Sequence, residues 1–192
     1  WFTSDSGRIT LPTTGTYTLA VQGRLDGSGS ATDNFVVRSV TDATTALTLG
    51  TAVSGSIASQ GQQKNYTFTL ASPTQVWFDS RTNDGNLAWT LNGPQGNVYG
   101  WTAFYSDDRN IGILQAGTYT LTVGGNGDYT GSFAFNLLSS AGATSLTLGS
   151  AVAATLNPAN STNLYKFSGT AGSTIFLDYT SYTTTDPNGY TG

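Results

Sequence analysis

Residues 117–156 read GTYTLTVGGNGDYTGSFAFNLLSSAGATSLTLGSAVAATL, and nearly the same text stands earlier, where residues 15–57 read GTYTLAVQGRLDGSGSATDNFVVRSVTDATTALTLGTAVSGSI. GTYTL matches GTYTL, LTLG matches LTLG, and apolar-alternating stretches lie between them. Tyr17 and Tyr119 are 102 residues apart, and Leu47 and Leu146 are 99 apart. A third match sets Asn65-Tyr66-Thr67-Phe68 against Leu164-Tyr165-Lys166-Phe167, again 99 apart at the tyrosines. Self-similarity at a fixed period predicts a tandem array whose unit is one small domain.

On this reading one complete unit spans residues 45–138. Residues 1–43 are the C-terminal half of a preceding unit, and residues 144–192 the N-terminal half of a following one. Neither half can bury both faces of a sandwich alone, so each is expected to pair with the other, with a neighbouring chain or with residues beyond this stretch. The connections Ser39–Thr45 and Ser139–Thr144 are short, which predicts closely coupled units. The first segment is three residues longer between its tyrosine and LTLG, and the excess falls in Arg24–Ser30, a loop tip where insertion is tolerated.

Strand signals dominate. Tyr66, Phe68 and Leu70 alternate with threonines, as do Tyr119, Leu121 and Val123. Val76 and Phe78, the set Leu87, Trp89 and Leu91, and the set Phe133, Phe135 and Leu137 repeat the pattern. Period two means a strand with one face in a core and one face wet. Turn formers separate the runs at Asn83–Asn86, Asn92–Gly96, Ser106–Asn110 and Gly124–Asp128. The predicted fold class is all-β: tandem antiparallel β-sandwich, jelly-roll-like repeats of about 100 residues.

Composition excludes several classes. Charged residues make up 9% of the 192, against roughly 25% in ordinary domains, while aromatics reach 12%, too many for a disordered chain. No apolar run approaches the roughly 18 residues a spanning helix needs. The net charge of −4 has no basic stripe, which argues against nucleic acid. Cys, His and Met are absent, which removes disulfides, thiolate chemistry, the commonest general base and an initiator. The missing Met points to a processed product or a piece of a longer protein.

The ordered run Asn65–Phe68, Gln75-Val76-Trp77-Phe78-Asp79, Leu91–Gly96, Ile113–Val123 with its AGTYTL segment, and Gly131–Phe135 resembles the bacterial pre-peptidase C-terminal domain family. The resemblance covers the middle unit fully and both flanking halves in part. It implies a β-sandwich that serves as an accessory module of secreted proteases or recurs in tandem in large surface proteins. Some related modules bind calcium or a polymeric substrate. The family often carries an Asp before the tyrosine of the first motif. Asn65 and Leu164 stand there instead, which weakens any calcium site that depends on it.

Candidate chemistry is sparse. With no His, a nucleophile would need Lys64 or Lys166 as its base, and neither sits in a helical Ser-x-x-Lys setting. The expectation is a protein that is not an enzyme. Calcium wants several oxygen ligands. Asp79, Asp84 and Asn86 lie close in sequence, Asp178, Asp186 and Asn188 form a comparable group, and Asp107 and Asp108 add a third. Asp, Asn and Gly are also plain turn formers, and no EF-hand spacing is present. Trp77 lies opposite the core face of its strand, and Phe176 is its counterpart 99 residues on. Tyr99, Trp101 and Tyr105 share one parity. These five aromatics read as a partner surface, or as contacts packed between units.

The function expected is a structural or adhesive repeat module of a large secreted or cell-surface bacterial protein. Its partners would be neighbouring repeats or copies of itself, joined into a fibre by packing or strand complementation. The alternative is a calcium-dependent accessory module that binds an extracellular polysaccharide or protein polymer.

Overall fold

Side chains that alternate apolar and threonine can satisfy a core and solvent together only in extended backbone. A computed structural model of the chain describes residues 7–23, 25–30, 32–106, 108–181 and 183. Among these, the strands are β1 (Ala43–Ala46), β2 (Val53–Ile57), β3 (Gln63–Leu70), β4 (Thr74–Ser80), β5 (Leu87–Gly93), β6 (Gly96–Ala103), β7 (Arg109–Leu114), β8 (Gly117–Gly125), β9 (Gly131–Ser139), β10 (Thr144–Ser145) and β11 (Tyr165–Lys166). A single turn of 3-10 helix, Ser140–Gly142, follows β9.

Strands β1 to β9 make a sandwich. One sheet has five strands in the order β1-β3-β8-β5-β6, and the other has four in the order β2-β9-β4-β7. The expected all-antiparallel arrangement needs one correction: β1 pairs with β3 in parallel, Thr45 opposite Tyr66. The reason is topological. Strand β2 lies in the opposite sheet and serves as the crossover between β1 and β3, which therefore enter their own sheet from the same end.

The core is aromatic. Phe78 stacks on Trp89 at 4.1 Å between ring centroids and on Phe135 at 5.3 Å, with Phe104 edge-on at 5.7 Å. Tyr66 meets Phe135 edge-on at 5.3 Å, and Phe68 stacks on Tyr119 at the same spacing. Such pairs add about 0.5–1.5 kcal/mol each beyond their area burial. Val76, Leu87, Leu91, Leu121, Val123 and Leu137 fill the space between the rings and are fully buried.

One turn shows why its sequence is Gly-Pro-Gln-Gly. Gly93 pairs with Gly96 to close the β5–β6 hairpin, and Gly96 has φ +101°, the left-handed region that favours glycine. At Gly93 the constraint is space: a Cβ there would sit 2.4 Å from Cε1 of Tyr119.

Outside the sandwich, several bonds recur at the sequence spacings noted above. Strands β10 and β11 pair in parallel with Thr144 opposite Tyr165, which is the β1–β3 register displaced by 99 residues. Leu47 N donates to Thr67 O at 2.8 Å, and Leu146 N donates to Lys166 O at 2.8 Å. Thr51 N donates to Thr48 O at 3.1 Å, and Ser150 N donates to Thr147 O at 3.1 Å. The Tyr119 hydroxyl donates to Gln115 O at 2.9 Å, and the Tyr17 hydroxyl to Thr13 O at 2.6 Å.

The flanking segments form no further strand among their described residues. Ile9, Leu11, Leu19, Phe35, Val36 and Val37 are exposed on one side of the sandwich in sequence, and Ile175, Phe176 and Leu177 on the other. The first segment is tied down near its ends. Arg8 pairs with Asp42 and donates to Gly61 O, and Gln63 N donates to Asp42 Oδ1 at 2.8 Å.

Candidate functional site

At the end of β4 the alternation that carries Val76 and Phe78 into the core turns Asp79 to the outer face of its sheet. That face is nevertheless covered there, and Asp79 is fully buried. Its Oδ2 accepts from Arg81 Nε at 3.1 Å, and its Oδ1 accepts the backbone N–H of Thr162 at 3.2 Å. Asp108 binds the same segment. Its Oδ2 takes the Thr162 hydroxyl, and its Oδ1 takes Ser80 N–H at 2.7 Å. Ser161 beside Thr162 is buried as well. Burial, the largest influence on Asp79, pushes its pKa up; the Arg81 hydrogen bond and charge pull against it.

The end of β4 is fixed from within. Ser80 Oγ donates to Phe104 O at 2.6 Å. Thr82 Oγ1 donates to Ala134 O at 3.1 Å and accepts from Ala134 N at 2.7 Å. Opposite Asp79 across β4–β9 lies Asn136, buried, whose Oδ1 has no hydrogen-bond partner among the described residues. Beside this seam an open cleft of about 490 Å³ is lined by Ser80, Thr82, Phe104, Tyr105 and Asp108 on the sandwich side and by Asn160 and Ser161 on the other.

The acidic groups singled out by sequence are placed as follows. Asp84 is a turn residue. Its Oδ1 accepts Asn86 N–H at 2.8 Å and its Oδ2 accepts the Tyr129 hydroxyl at 2.6 Å, a bond that holds the Asp84 pKa below and the Tyr129 pKa above their ordinary values. Asp178 is exposed. Asp107, Asp186 and Asn188 lie outside the described residues. Among the described residues no three acidic side chains converge. Among the described residues the donor set does not suit calcium in this arrangement. Arg81 already supplies the cation at Asp79, and both oxygens of Asp84 are engaged by protein donors.

The aromatics divide. Tyr99 stacks on Trp89 at 5.4 Å and belongs to the core margin. Trp77 is half-buried. Trp101 is partly exposed, with its indole N–H on Asn126 Oδ1 at 3.0 Å. Tyr105 is exposed and lies against Gly85, and Phe176 is 90% exposed. Arg81, Asn136, Ser161 and Thr162 were not visible as site residues in the sequence. Thr162 meets Asp79 across 83 positions, and no local pattern announces such a contact.

Among the described residues the seam can clamp but no base stands beside a free nucleophile, and Arg81 is spent on Asp79. No protein-family model matches the chain, and no curated protein matches it. Solved structures similar to it include the periplasmic g-type lysozyme inhibitor PliG from Aeromonas hydrophila. The two share 10% identity with a TM-score of 0.39, over 53% of this chain and 99% of that one. Another is the pre-peptidase C-terminal domain of a collagenase from Bacillus anthracis. It shares 18% identity with a TM-score of 0.37, over 52% of this chain and 97% of that one. No helix among the described residues is long and apolar enough to cross a membrane.

Proposed function

We propose that this chain is part of a structural array outside the cell, built from closely coupled β-sandwich units of the pre-peptidase C-terminal type. The observation that carries the reading is the recurrence of individual hydrogen bonds at 99 and 102 residues, from the Leu47 and Leu146 amides to the Tyr119 and Tyr17 hydroxyls. The motifs behind the family resemblance fall on consecutive parts of one sandwich: β3, β4, the β5–β6 hairpin, β8 and β9. The clamp of Thr162 by Asp79 and Asp108 supports close coupling, because it holds the segment after the sandwich against β4 instead of leaving a free tether.

The test is electron microscopy of the native protein. Extended, regularly spaced densities with little bending between them are expected. Beads joined by freely bending linkers would refute the array. A second reading, an accessory module for an extracellular polymer, draws support from the exposed rings of Trp101 and Tyr105 near one end of the sandwich. It requires quenching or a shift of tryptophan fluorescence when polysaccharide is added.

A further inference from the structure

The sandwich contains its own template for covering the exposed flanking segments. In the template, β3 lies between β1 and β8, with Tyr66 opposite Leu121 and Phe68 opposite Tyr119. Moved by 99 residues, β3 becomes the stretch around β11. Moved by 102, β8 becomes residues 15–23. One edge of β11 is already occupied as in the template, by β10 in the same parallel register. The other edge, where β3 carries β8, has no strand among the described residues.

The side chains agree. Leu19 is 61% exposed where its counterpart Leu121 is at 0%, and Leu177 is 86% exposed where Phe78 is at 1%. Tyr165, Phe167, Tyr17 and Ile175 are likewise exposed at positions whose counterparts Tyr66, Phe68, Tyr119 and Val76 are core. Tyr17 already makes the carbonyl bond that fixes the corner before β8. Of the residues facing one another in this register, only Lys166 is charged, so there is little of the edge charge that discourages strand pairing.

We propose that residues 15–23 of one copy of this chain pair antiparallel with residues 162–169 of a second copy, Leu19 opposite Tyr165 and Tyr17 opposite Phe167, joining copies head to tail by strand complementation. The inference rests on the array reading above and names the strands that make the joint. The template accounts for its feasibility. The β5–β6 hairpin lies at one side of the five-stranded sheet, so β1-β3-β8 remains contiguous without it. A contact of this kind is heterologous and does not close on itself, so it propagates into a filament.

The absence of cysteine gives a clean test. Residues opposite one another on paired antiparallel strands have their Cα atoms about 4.5–5.5 Å apart, inside the roughly 4.4–6.8 Å that a disulfide spans. Mixing the single variants Leu19→Cys and Tyr165→Cys under mild oxidation is expected to give a disulfide-linked heterodimer. Leu19→Cys with Leu164→Cys, whose side chain points to the other face, should give at least tenfold less. Sedimentation of the unmodified chain should show concentration-dependent association, weakened at least tenfold by Leu19→Asp. Cross-linking at the wrong register overturns the pairing. So does a double variant that closes within one monomer at every concentration, because the segments then pair in cis. A monomer without cross-links, with rigid arrays still seen by microscopy, overturns the joint alone. Absent cross-links together with freely bending beads overturn both the joint and the array.

Discussion

The Tyr119 hydroxyl donates to the carbonyl of Gln115, four residues before it, at 2.9 Å, while its ring stacks on Phe68 at 5.3 Å. This one side chain sets the corner into β8 and fills the core beneath it. The Tyr119→Phe variant keeps the stack and loses the bond. A typical hydrogen bond contributes about 0.5–1.5 kcal/mol, so thermal unfolding should shift downward by a few degrees. No shift would mean that the corner is held by backbone alone.

A close approach of backbone constrains Gly125. A Cβ on Gly125 would lie 2.1 Å from the carbonyl oxygen of Tyr129, and backbone cannot swing aside as a side chain can. Gly125→Ala is expected to cost about 1–3 kcal/mol by denaturant unfolding, the usual range for overpacking. Gly100→Ala meets nothing within 4 Å and should change stability little. Equal effects at the two positions would refute the packing argument.

Phe78 joins the two sheets through its stack on Trp89, and it also stacks on Phe135 of its own sheet. Phe78→Ala should destabilise the sandwich by about 3–5 kcal/mol. Phe176→Ala, the same edit on an exposed ring, should leave the sandwich's own melting unchanged.

Two carboxylates shape the acid limb in opposite directions. The Asp84 pKa lies below its ordinary 3.8, chiefly through the Tyr129 hydroxyl, so its contribution is present above pH 3.8 and is lost as pH falls through the lowered folded value. The Asp79 pKa is raised above 3.8 by burial, so the folded state binds that proton more tightly, and stability from this group increases as pH falls through the raised folded value toward 3.8. Tyr129→Phe should therefore move acid unfolding to higher pH. Asp79→Asn should flatten the profile just above pH 3.8. The reverse pair of results would refute these assignments.

Calcium provides a further check. With Arg81 on Asp79 and protein donors on both Asp84 oxygens, millimolar Ca²⁺ or a chelator should leave the melting temperature unchanged. A rise of several degrees on adding Ca²⁺ would restore these carboxylates as ligands.

The strands were legible because their signal is local. Period two at Tyr66–Leu70 and Phe133–Leu137 states both the conformation and the buried face. The parallel β1–β3 pair was not legible: ATTA has no amphipathic pattern, and its partner is chosen by where β2 crosses. Strands β6 and β7 carry bulges or shifts in their ladders, which blur alternation. The site was the least legible part. Asp79 reads as a wet-face residue by parity, yet it is buried and bonded to Thr162, 83 residues further on.

The outer face of the five-stranded sheet is joined by uncharged pairs. Thr69 meets Thr118 at 3.0 Å between hydroxyls, and Thr122 donates to Asn65 Oδ1 at 2.7 Å. Dissolved ions screen charges over about 10 Å at 0.1 M and about 3 Å at 1 M, but they find almost nothing to screen on such a surface. The contacts across this face should therefore hold alike from fresh water to brine.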